Sequence, residues 1–143
     1  MTSILNSAHS GLRWLVLLFL LISIVFAFLN LKKTKLEKPQ KLMYLFGLIF
    51  THTQLLIGLV LYFLSAKVVF NEETMSNASS RFYAMEHPLG MLIAIILITM
   101  GYSKGKKNQS HKTVLVFYLI GLILIIASIP WPFRTALGVV DWF

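Results

Sequence analysis

Six polar side chains stand inside otherwise apolar stretches of the chain: His9, Arg13, His52, Gln54, Glu86 and His87. Polar groups in hydrocarbon cost free energy, so each asks for a partner or a function. Two neutral imidazoles that face one another can hold a haem iron from both sides. A mixed set such as His9, His87 and Glu86 could instead hold another metal ion. Sulfur chemistry is closed, because the chain has no Cys. No Ser stands with a His and an acid at matching depth, and neither an HExxH zinc motif nor a Gly-rich phosphate loop occurs. His111 lies among lysines and reads as a solvated loop residue or a lipid-facing charge.

Any such site must be positioned by helices that cross a membrane. Of the 143 residues 57% are hydrophobic and 13% charged, and the mean hydropathy is +0.78, too apolar for an ordinary soluble domain. A span needs about 20 apolar residues, and four stretches qualify: 6–31, 41–64, 80–102 and 113–129. The first is too long for a signal h-region and its positive cluster follows it, so it reads as a retained helix. Pro130 and Pro132 end the fourth. Asn77, Ser79 and Ser80 are candidate caps for the third. Short connections imply an all-α fold, an integral-membrane, antiparallel up-down four-helix bundle forming one domain over 1–143.

Charge sets the orientation. Nine of the 13 basic residues lie in two segments, Lys32–Lys41 and Ser103–Lys112, while Glu72, Glu73, Glu86 and Asp141 fall on the other side. The positive-inside rule places the Lys-rich segments in the cytoplasm and both termini outside. Trp14, Trp131 and Trp142 then fall near the outer interface. The net charge of +8 is explained by this topology and needs no nucleic acid.

Heights above the cytoplasmic helix ends follow from about 1.5 Å per residue: roughly 33 Å for His9, 27 Å for Arg13, 22 Å for His87 and 16 Å for His52. His9 and His87 belong to the first and third spans, diagonal in such a bundle, and enter it from the same end. Their heights differ by roughly 10 Å, and Pro88 can deform the third helix enough to change that. His52 with His87 is the rival pair. Arg13, one turn below His9, suits a haem propionate or Glu86. The plainer alternative gives each residue a structural role: His9 at headgroups, His52 as a hydrogen-bond node between helices, Arg13 with Glu86 as an interfacial ion pair. Gly58 and Gly90 serve close helix packing or open space for a macrocycle.

The order His9-Ser10-Gly11-Leu12, then Gln54-Leu55-Leu56-Ile57-Gly58, then His87-Pro88-Leu89-Gly90 resembles one four-helix half of the heme A synthase family. It is similar also to short four-helix membrane proteins described as cytochrome b-like. The resemblance implies His9 and His87 as axial ligands of a haem iron, with Gln54 and Gly58 supporting them. In that family a catalytic Glu stands one turn before a ligand His; here those positions are Leu5 and Tyr83. Electron transfer or haem holding is therefore expected rather than haem modification.

The expected function is that of a b-type haem protein of a bacterial inner membrane, exchanging electrons with a quinol or a respiratory partner. Two other classes fit the same residues: a cofactor-free accessory subunit of a larger membrane complex, and a metal-binding membrane protein. Pairing of two copies is a further expectation that the chain leaves open.

Overall fold

The computed structural model describes residues 2–137, and all regular structure among them is helical. Four long helices carry the fold: α1 (Thr2–Leu29), α2 (Lys38–Leu64), α3 (Ala78–Asn108) and α4 (His111–Ser128). Each is long and apolar enough to cross a membrane. A single 3-10 turn, Thr135–Leu137, follows. Trp142 and Asp141 lie outside the described residues.

The helix starts follow familiar capping chemistry. α2 opens with Lys38-Pro39, and proline in a first turn forfeits no helical hydrogen bond. Of the three candidate caps of α3, Asn77 is used: its side-chain oxygen accepts from the Ser80 N–H at 3.0 Å, and Ser79 and Ser80 lie inside the helix. Ser110 caps α4 by accepting from the Thr113 N–H at 3.2 Å.

The end of α3 differs from expectation. Instead of stopping at Tyr102 it runs to Asn108, so most of the Lys-rich segment Ser103–Lys112 is helix and not loop. Lysine is a good helix former, and Lys106 and Lys107 in the last turn suit the negative end of the helix dipole. The chain reverses through Gln109, held at φ 52. Its side chain secures that left-handed residue: Oε1 accepts from the Leu36 N–H at 3.0 Å and Nε2 donates to the Lys106 carbonyl at 2.7 Å.

α1 packs against α2 and α4, and α3 packs against α4 and, less extensively, α2. α1 and α3 are therefore diagonal. Glycines set the α3–α4 distance: a Cβ on Gly121 would lie 2.7 Å from Ile98 Cγ1, and one on Gly101 would lie 2.6 Å from Phe117 Cβ. Small residues that let backbones approach are the main packing device for helices in lipid. Leu20, Tyr44, Ile98, Val114 and Tyr118 fill the centre. Outward positions such as Leu21, Phe28, Leu56, Phe63 and Ile123 are exposed, a surface suited to hydrocarbon and not to water.

His111 is not a solvated loop residue. It is 1% exposed; Nε2 lies 3.1 Å from the Lys35 carbonyl and Nδ1 2.7 Å from the Tyr44 hydroxyl. A carbonyl only accepts, so Nε2 carries the proton and Nδ1 accepts from Tyr44. The lysines around it in the sequence face outward, while the first turn of α4 turns its ring under the α1–α2 connection. His111→Leu leaves the Tyr44 hydroxyl and the Lys35 carbonyl unsatisfied. It is expected to cost about 1–3 kcal/mol of stability, read as a lowered midpoint of thermal unfolding in detergent, whereas Lys112→Leu at the exposed neighbour leaves the midpoint unchanged.

Candidate functional site

The third helix is irregular just before His87. Phe82–Glu86 form a π-helical turn, in which the His87 N–H reaches back to the Phe82 carbonyl. The cause is Pro88, which has no N–H to give and whose ring crowds the carbonyl four residues earlier, that of Ala84. Ala84 O is taken instead by the Tyr62 hydroxyl of α2 at 3.0 Å. Single π turns of this kind gather at functional sites.

The His87 ring is fixed from the other side by the end of α4. Pro130 biases Ile129 toward extended backbone, found at ψ 135, so α4 stops and its last carbonyls lose their helical donors. Side chains take them over. Trp131 Nε1 donates to Ile126 O at 2.8 Å, Arg134 Nη1 to Ala127 O at 3.1 Å, and His87 Nδ1 to Ser128 O at 2.7 Å. Because a carbonyl only accepts, Nδ1 carries the proton, and in the neutral ring Nε2 keeps its lone pair. A histidine held in this way is oriented as metal-ligating histidines usually are. Gly90 allows the contact, since a Cβ there would collide with the Ser128 side chain. It thus serves packing and does not open space for a macrocycle.

His9 rests on α2. Gln54 Nε2 donates to the His9 carbonyl at 2.8 Å, and a Cβ on Gly58 would lie 3.1 Å from His9 Cε1. Gly58 is therefore the bed of the imidazole. His9 Nδ1 and Gln54 Oε1 are buried and make no hydrogen bond among the described residues, an expensive arrangement unless something else occupies the site.

The two imidazoles meet. Their ring centres are 6.3 Å apart and the planes are 76° apart. Both line a cavity of about 700 Å³, together with Arg13, Gln54, Gly58 and Tyr62, within the usual range for ligand sites. The expected height mismatch disappears because α3 is longer at its Lys-rich end. His87 stands 21 residues before Asn108 and His9 20 residues before Leu29, heights of roughly 32 Å and 30 Å.

The remaining candidates fall elsewhere. His52 does not line the cavity; Nδ1 donates to Leu48 O at 2.9 Å and Nε2 lies 3.4 Å from Thr99 Oγ1. It links α2 to α3 as a hydrogen-bond node, and the rival pair with His87 does not form. Arg13 lines the cavity, 7% exposed, with its guanidinium 5.3 Å from the Trp14 ring and 5.8 Å from that of Trp131. Glu86 is exposed and bonded to Arg81 at 2.7 Å, so it serves neither Arg13 nor a metal set with His9 and His87. Adjacent helical residues point more than a quarter turn apart, which is why Glu86 leaves the face that His87 occupies. No group of three or more His, Asp or Glu residues able to hold a metal ion occurs among the described residues.

Tyr62 and Ser128 were not evident as site residues. Tyr62 had a signal, standing one turn beyond Gly58 and two beyond Gln54 on one face of α2. Ser128 had only an indirect one, the proline that strips its carbonyl of a helical donor. The chain is thus defined as a four-helix protein with two imidazoles in edge-on contact at a largely apolar cavity. Comparison with protein-family models, curated proteins and solved structures gave no match.

If Gly58 is the bed of His9, Gly58→Val must displace the ring. Nuclear magnetic resonance of protein with nitrogen-15 histidine should then show the His9 signals shifted or broadened, while Gly11→Val, where an added Cβ meets nothing within 4 Å, should leave them as in the unaltered protein.

Proposed function

We propose that this chain is a membrane-embedded b-type haem protein that transfers electrons. The observation that carries the reading is the approach of His9 and His87 to 6.3 Å across a shared cavity. Two metal–imidazole bonds of about 2 Å each, with the ring halves beyond them, span about 6 Å. The fit of the residues is supported by the Nδ1-protonated ring of His87, the glycine bed under His9 and the buried polar atoms left over beside it. A haem bound there supplies one-electron chemistry. The chain's residues hold it between α1 and α3, exclude water with apolar walls, and set its potential through ligand orientation and burial. Arg13, on the cavity wall, would pair with a propionate of such a haem.

The four helices lie antiparallel in a bacterial inner membrane, with the Lys-rich connections in the cytoplasm and both termini periplasmic. The imidazole pair then sits in the outer half of the bilayer, where an isoprenoid quinol or a larger respiratory complex can exchange electrons with it.

The purified protein is expected to show the absorbance bands of a low-spin haem that change on reduction with dithionite. His9→Ala and His87→Ala each abolish or shift them, and His52→Ala leaves them in place. A colourless protein after expression with ample haem, co-purifying with a larger assembly, overturns the reading in favour of a cofactor-free accessory subunit.

A further inference from the structure

α1 and α3 bring one imidazole each, yet these two helices are diagonal and pack mainly on their neighbours. Something other than direct contact must therefore set the distance between the rings. α2 lies between them, and three of its residues spaced four apart share one face: Gln54, Gly58 and Tyr62. Gln54 holds the His9 backbone and Gly58 seats the His9 ring. Tyr62 holds the opposite partner, through the Ala84 carbonyl in the π turn that ends at His87.

We infer that Tyr62 is a positioning residue for His87, acting through the carbonyl that Pro88 leaves open, and that the Gln54–Gly58–Tyr62 face of α2 sets the spacing of the two imidazoles. A carbonyl without its helical N–H in an apolar bundle demands another donor, and the Tyr62 hydroxyl at 3.0 Å is that donor. With the donor removed, the π turn is no longer tied to α2, and its backbone can shift to recover a bond. His87 follows, because its own N–H closes the same turn on Phe82 O. The hydrogen bond to Ser128 O constrains the ring only from the α4 side.

The measurements on haem-loaded protein rest on the haem reading; the nitrogen-15 measurement on haem-free protein does not. Tyr62→Phe removes one hydroxyl and keeps the ring that lines the cavity. Tyr44→Phe is the matched control, since it removes a hydroxyl bonded to His111, near the first turn of α4 and away from the cavity. In haem-loaded protein, Tyr62→Phe should let carbon monoxide bind the reduced haem, which the unaltered protein and Tyr44→Phe refuse, and should alter the ferric low-spin electron paramagnetic resonance signal. In haem-free protein with nitrogen-15 histidine, His87 should give one set of signals with Nδ1 protonated in the unaltered chain and in Tyr44→Phe. Mixed tautomers or broadened signals should appear in Tyr62→Phe.

If Tyr62→Phe matches Tyr44→Phe in carbon monoxide refusal, in the ferric signal and in the His87 nitrogen signals, the positioning role is wrong whatever becomes of the haem reading. If the unaltered protein takes up no haem, that reading fails, and the His87 signals alone still decide the role of Tyr62.

Discussion

A backbone carbonyl that loses its helical N–H inside an apolar bundle must find another donor, and the site is built where three proline positions create that need. Pro88 opens Ala84, and Pro130, reinforced by Pro132, opens the end of α4. The donors that answer are side chains: Tyr62, Trp131, Arg134 and His87. His87 is thus held at its Nδ1 by one broken helix and at its backbone by another irregular turn, while Nε2 keeps its lone pair. The same requirement for satisfied backbone that confines membrane spans to helices and closed barrels here orients one of the two rings on which the proposed ligation depends.

The opposite end of the protein uses different means for a similar end. Gln109 and His111 reach the α1–α2 connection through Leu36 and Lys35, and Tyr118 donates to the Tyr44 carbonyl at 2.7 Å. These bonds tie the helix pairs where lysines crowd the surface. Between the two ends, glycine-mediated contact of α3 with α4 leaves little room, and the cavity is confined to the end that carries His9 and His87.

Much of this was legible in the residues, and the misses have physical causes. The four helices followed from apolar length alone, since a stretch of some 20 apolar residues has few alternatives. The end of α3 did not, because a run of lysines reads as loop by charge and as helix by propensity, and Gly105 packing against Val114 decided for helix. That single boundary produced the apparent height mismatch between His9 and His87. His111 was misread for the same reason: neighbours in sequence were taken as its surroundings, whereas helix rotation buries it against Tyr44. Gln54 stood out as a polar residue in an apolar stretch and Gly58 as a glycine one turn beyond it, while a supporting role for both beside the histidines was implied only by the resemblance. Ser128 was not, because it acts through a carbonyl, which no residue type announces.

The bond between His87 and Ser128 has a bearing on biogenesis. One partner belongs to α3 and the other to the last turn of the final long helix. During synthesis the imidazole of α1 is delivered before that of α3, and the latter acquires its fixed tautomer only once α4 has followed. The final geometry of this pair therefore waits for α4, and a chain truncated before Ser128 carries both histidines without the lock that aims one of them.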